Sequence, residues 1–218
     1  MNSIDLQESL VKKLKEDRCL VQRQPNATLD PVSRLPVEIS SGIFMQSLAP
    51  FPEPGACHTP MLLLNICHAW SAIALSTPDL WEFIQISFPC AKGFSNVLPL
   101  WLQRAHNRPL SIYLCGDLEN LDQHILSILW GCRRQLRHVK ISDDIDEGDD
   151  EGFVDLFGGT SLGPLPWLET LTLHGGVYGR PFLSHQILEL LRLAPNLVEC
   201  LFDNIQSLVN AEFASADF

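Results

Sequence analysis

The sequence predicts a chain of mixed class, α+β to α/β, with an N-terminal helix and a three-helix module first and a short irregular βα solenoid after it. Three observations carry this. Apolar residues recur at helical spacing through the first third of the chain; from about Val97 helix-like and strand-like stretches alternate; and three of the strand-like stretches share one internal spacing. With 218 residues there is room for a helical module joined to a second domain. Hydrophobic residues at 46% and charged residues at 19% are globular proportions, so most of the chain should fold.

Between Ile4 and Val21, Leu6, Leu10, Val11 and Leu14 recur among Lys12, Lys13, Lys15, Glu16 and Asp17. This spacing predicts an amphipathic helix within residues 1–24, either packed on the next element or forming a short coiled-coil arm. Gln24-Pro25-Asn26 ends it. Ser33 ahead of Pro36, with Glu38 among the early residues, starts a second helix running to about Leu48, with Ile39, Ile43 and Phe44 as its apolar stripe. Gly42 costs that helix about 1 kcal/mol of propensity relative to alanine. Ala49 to Gly55, rich in proline, is too broken for regular structure. Met61 to Ala74 predicts a third helix with Leu62, Leu63, Ile66, Trp70 and Ile73 on its apolar face. Thr77 to Trp81 then turns into a short apolar segment ending near Phe88, which closes a helical domain over 33–88.

Beyond it, over 95–206, the strand candidates are Leu110 to Cys115, Leu136 to Ile141, Leu168 to Leu173 and Leu197 to Phe202. Leu136, Val139 and Ile141, then Leu168, Leu171 and Leu173, then Leu197, Cys200 and Phe202 share the L-x-x-L-x-L register of leucine-rich repeats. The starting positions lie 26, 32 and 29 residues apart, irregular but of strand-plus-helix length. Val97, Trp101, Leu102 and Ala105 supply one intervening helical face, Leu118, Leu121, Ile125 and Leu129 a second, and Ile187, Leu190 and Leu191 a third. Stacked units of this kind bury a core that none of them buries alone. The stretch 207–218 makes a poor cap for the last repeat, which fits a short or truncated chain.

A net charge of -11 repels phosphate backbones, and no Lys/Arg stripe interleaved with aromatics opposes it, so nucleic acid is not an expected partner. A membrane is not expected either: no uninterrupted apolar run exceeds Met61 to Leu64, far below the ~18 residues that span a bilayer. The N-terminus lacks the basic start and apolar core of a signal peptide, and seven cysteines without regular spacing fit a reducing, intracellular compartment, cytoplasmic or nuclear. Seven acidic residues between Asp143 and Glu151 lack the order of a calcium loop and read as a solvated loop. His58 and His68, beside Cys57 and Cys67, lack metal-ligand spacing, and Gly158 to Gly163 lacks the Gly-Lys-Ser/Thr ending of a phosphate loop. No nucleophile elbow is present. The expectation is therefore no catalytic residue, no metal and no cofactor.

Four blocks stand in order in the helical domain: Leu35-Pro36-Val37-Glu38-Ile39, Ile43-Phe44, Cys67-His68-Ala69-Trp70-Ser71-Ala72-Ile73-Ala74, and Pro78-Asp79-Leu80-Trp81. Together they resemble the F-box pattern, over about a quarter of the chain, and the irregular leucine-rich tail resembles what often follows the F-box in fungal members of that family. The resemblance implies a three-helix module that docks on a Skp-type adaptor and, through it, a cullin, as a non-enzymatic substrate receptor of a ubiquitin ligase. By position it implies Leu35, Pro36, Ile39, Ile43, Phe44, Leu80 and Trp81 as adaptor contacts, with Cys67, Trp70 and Ile73 as core of the module. The repeats would hold a target protein, whose identity the sequence leaves open. A second expectation is a repeat scaffold in which the F-box-like segment is only structural.

Overall fold

A computed structural model describes residues 30–55, 57–118, 121–143, 153–159, 161–176 and 181–205. The helix expected within residues 1–24, the acidic stretch 144–151 and the tail 207–218 lie outside the described residues. By its internal contacts the chain divides into two units, one of residues 1–48 and 55–80, the other of residues 49–54 and 81–218.

In the first unit a 3-10 turn, Val32–Arg34, leads through Pro36 into α1, Val37–Gln46. Proline suits this place because its φ is already close to helical and its missing N–H has no partner to lose. Its carbonyl accepts the N–H groups of Ile39 at 3.0 Å and Ser40 at 3.1 Å. The inward positions of α1 are Ser40 and Phe44, one turn apart. Ser40 is fully buried and donates its hydroxyl to the Val32 carbonyl at 3.0 Å, which satisfies a group that would otherwise be costly to bury. Phe44 stacks on Trp70, with ring centroids 4.9 Å apart. The expected stripe of Ile39, Ile43 and Phe44 therefore splits: Phe44 turns in, and Ile39 and Ile43 turn out.

The helix expected from Met61 to Ala74 is two helices, α2 over Leu63–Ile66 and α3 over His68–Leu75. Between them Cys67 is extended, at φ -155° and ψ 171°, and its Sγ accepts the Trp70 N–H at 3.5 Å. The thiol caps α3 as a serine hydroxyl would, which apolar periodicity cannot signal because the pattern runs on through the break.

The second unit is built on five parallel strands in the order β1-β2-β3-β4-β5. These are β1 Phe83–Phe88, β2 Leu110–Gly116, β3 Leu136–Asp143, β4 Thr170–His174 and β5 Glu199–Asp203. Helices α4, Phe94–Arg104, α5, Gln123–Gly131, and α6, Ser184–Leu193, lead into β2, β3 and β5. Sheet order equals chain order, so every crossover steps to the same side. Sequence reading missed β1 as a strand, although Ile84, Ile86 and Phe88 alternate with Gln85 and Ser87 and point into the core. Two strands start later than expected. Leu168 N–H turns back to the Leu165 carbonyl at 3.3 Å and Leu197 N–H to the Ala194 carbonyl at 3.2 Å, so both leucines belong to turns. Helix α5 likewise starts at Gln123, where the Asp122 carboxylate accepts the His124 N–H at 2.8 Å and fixes the N-terminus.

The register sets Val139 beside Leu171 beside Cys200, and Ile141 beside Leu173 beside Phe202. Isoleucines 84, 86 and 112, Leu114, Val139, Ile141, Leu171 and Leu173 are buried on this face, as are the inward residues of the helices, Trp101, Ile125, Leu129 and Leu190 among them. Cys200, in the same file, is exposed on the edge strand β5. From β3 to β4 the described residues form no helix. Leu156, Phe157, Leu162 and Leu165 are buried there, and the segment is pinned by hydrogen bonds from Trp130 Nε1 to the Leu156 carbonyl at 2.9 Å and from Leu156 N–H to the buried Gln186 Oε1 at 2.9 Å.

Candidate interaction surfaces

On the first unit, Leu35, Val37, Ile39 and Ile43 are respectively 40, 48, 52 and 45% exposed, and Pro36 is exposed with them. They sit within nine consecutive positions, at the entry to α1 and on its outer face. Ile39 and Ile43, one turn apart, leave aliphatic side chains in water on the outer face of α1, with Leu35 and Val37 exposed at its entry, and apolar surface gathered in this way is often functional.

Three of the residues that the resemblance implies as adaptor contacts lie elsewhere. Phe44 is 1% exposed, and Leu80 and Trp81 have no exposed surface. Phe44 is held by Trp70. Trp81 packs edge to face on Trp101, centroids 5.0 Å apart, while Trp101 Nε1 donates to the Trp81 carbonyl at 3.0 Å and the Arg104 guanidinium lies 4.6 Å from the Trp81 ring centre. With Phe44, Leu80 and Trp81 enclosed, the exposed apolar surface among the residues that the resemblance implies as adaptor contacts is that of Leu35, Pro36, Ile39 and Ile43. Of the residues expected in the core, Cys67 is buried and Trp70 and Ile73 are half-buried; Trp70 Nε1 donates to the Asp30 carboxylate.

The second unit presents the other face of its sheet. Row by row it carries Phe83, Ser111, His138, Thr170 and Glu199; then Gln85, Tyr113, Lys140, Thr172 and Leu201; then Ser87, Cys115, Ser142, His174 and Asp203. Parallel sheets are usually covered on both faces and apolar on both, whereas this face is largely polar. At its β1 end, Phe51 packs on Phe83 and Tyr113 at 6.1 and 5.5 Å, and the Glu53 carboxylate accepts from Gln85 Nε2 at 2.9 Å and from the Ser87 hydroxyl at 3.1 Å. Ser111, Cys115 and Ser142 are buried, exposure rises to Glu199, Leu201 and Asp203 on β5, and the polar groups between are tied to one another: His138 Nδ1 and Thr170 Oγ1 are 2.7 Å apart, His174 Nδ1 and Asp203 Oδ2 3.0 Å, and Lys140 Nζ lies over the Tyr113 ring. Burial pushes the His138 pKa down, the Arg137 charge adds to this, and Glu169 opposes it. Periodicity held the signal for this face, since each strand alternates apolar with polar; which polar residues meet across strands required the register.

Among the described residues, no three His, Cys, Asp or Glu side chains are grouped to hold a metal, and no helix is long and apolar enough to cross a membrane. Burial, helped by the Asp122 charge, pushes the Cys90 thiol up to about 11, which makes it a poor nucleophile at neutral pH. Compared with models of known families, with curated proteins and with solved structures, the chain matches none.

Proposed function

We propose that the chain is an F-box-type substrate receptor. The outer face formed by Leu35, Pro36, Ile39 and Ile43, joined by Val37, docks on a Skp-type adaptor and thereby on a cullin, and the open polar face of the sheet, with leucine-rich-repeat-like strands behind it, holds a target protein. The observation that carries this is the exposed aliphatic row: it lies on the block that resembles the F-box opening, and burying it against a partner would gain ~25 cal/mol for each Å² of apolar surface removed from water. The chemistry of ubiquitin transfer belongs to other subunits. The receptor acts by proximity, raising the effective concentration of target lysines near the loaded enzyme. Such a receptor works inside the cell, in cytoplasm or nucleus.

The test is co-purification of the full chain with a Skp-type adaptor. Ile39→Asp with Ile43→Asp should lower recovery at least tenfold while circular dichroism stays unchanged, and Leu188→Asp, at an exposed leucine on α6, should leave it intact. Absence of binding by the unaltered chain would favour the second reading, a repeat scaffold whose F-box-like segment is structural. The full burial of Leu80 and Trp81 is the observation on that side.

A further inference from the structure

Three successive turns, each leading into a strand, line one pocket of about 360 Å³ in the second unit. They are closed by hydrogen bonds from Arg108 N–H to the Ala105 carbonyl at 3.1 Å before β2, from Gln135 N–H to the Cys132 carbonyl at 2.8 Å before β3, and from Leu168 N–H to the Leu165 carbonyl at 3.3 Å before β4. Because the strands are parallel and in chain order, these turns stand side by side at one end of the sheet. Asn107 and Pro109 line the pocket from the first turn, Arg134 from the second and Trp167 from the third, and Arg137 and Glu169 enter from the strand starts.

The lining has features that the fold does not account for. Trp167 is 63% exposed, an unusual place for the largest apolar side chain, and its turn is pinned by Asn196 Nδ2 donating to the Pro166 carbonyl at 2.7 Å. Arg137 is the extra residue of a β-bulge: Leu110 pairs with Leu136 and Ser111 with His138, which leaves Arg137 out of the ladder. Bulges re-aim side chains in this way beside functional sites. Arg137 Nε meets Glu169 Oε2 at 2.8 Å, whereas Arg134 is exposed and has no ion-pair partner among the described residues. Two guanidinium groups against one carboxylate make the pocket locally cationic on a chain of net charge -11.

We propose that this pocket binds an acidic segment of a partner protein, with an aromatic or long aliphatic side chain lying on the Trp167 indole and a neighbouring carboxylate or phosphate paired with Arg134 and Arg137. Stacking on indole and fork-like pairing to guanidinium are the two recognitions these side chains are built for. The inference goes beyond adaptor docking and stands without it, since it uses different residues on a different unit. The competing role for Arg134 is to offset the C-terminal dipole of α5, which would affect stability and no ligand.

The test is an NMR titration of the full chain, with the Trp167 indole N–H assigned by its loss in Trp167→Phe. The probes are capped peptides Ala-Phe-Glu-Glu-Ala, the same peptide with phosphoserine for its first Glu, and the same with both Glu replaced by Gln. The acidic peptides should shift the Trp167 indole and saturate, the Gln peptide should bind at least tenfold more weakly, and Arg134→Gln should weaken the acidic peptides at least fivefold with the other indole resonances unmoved. A phosphoserine peptide that binds tighter than the Glu peptide identifies a phosphorylated segment, and equal binding identifies a carboxylate one; both support the pocket. No shift of the Trp167 indole at millimolar peptide, equal binding of the Gln peptide, or Arg134→Gln binding like the unaltered chain would overturn it.

Discussion

Single residues hold this structure at points where the backbone leaves no choice. Gly116 ends β2 at φ +99°, and a Cβ there would lie 2.3 Å from the Phe88 carbonyl oxygen on β1. Gly116→Ala should therefore cost about 1–3 kcal/mol, read as a lowered urea midpoint with unchanged slope. Asp155 shows the same economy in a side chain. Its burial raises the pKa, but hydrogen bonds from the Gln186 amide and from the N–H groups of Phe157, Gly158 and Gly159 outweigh this and hold the carboxyl below its usual range. A carboxyl with a folded pKa below its unfolded value stabilises the fold above the unfolded value and loses that contribution as pH falls through the folded one. Asp155→Asn should then lower stability at neutral pH, with the difference from the unaltered chain shrinking below about pH 4 so that the acid limb of the profile flattens, checked by urea unfolding across the range. Cys90, its thiol pushed up to about 11, should react with iodoacetamide at pH 8 far more slowly than the exposed Cys57.

At the scale of elements, capping decides what hydrophobic periodicity leaves open. The break between α2 and α3 rests on the Cys67 thiol accepting the Trp70 N–H, so Cys67→Ala should destabilise by roughly 1 kcal/mol and Cys67→Ser, which keeps an acceptor, by less. Thermal unfolding of the two variants compares them directly. The sequence was legible for β2 and β3 and for the apolar faces of all three helices of the second unit, although the Leu118 and Leu121 positions placed the second face ahead of the actual start of α5 at Gln123. It was misleading at Met61 to Ala74, since an extended cysteine leaves the apolar pattern unbroken. It was nearly silent on β1, whose six residues follow a helical module and carry no flanking repeat signal. In the candidate docking row, Leu35, Ile39 and Ile43 were legible as apolar residues in a recognisable block, but which way each faces depended on Ser40 turning inward to the Val32 carbonyl. The Trp167 and Arg137 pocket had no sequence signal, because it is assembled from three turns and a bulge that only strand register brings together.

For the whole molecule, the two units divide the work proposed for them: one leaves an aliphatic row in water, and the other keeps a polar sheet face and a cationic pocket open. Each fits a different kind of partner, apolar for the first and acidic for the second. The measurement that tests the central claim most directly is amide hydrogen exchange of the full chain with and without a Skp-type adaptor. Docking through the exposed row predicts added protection across residues 35–46, with the strands β2 to β4 unchanged. Failure to form a complex, or a complex in which 35–46 exchanges as in the free chain, would contradict the account.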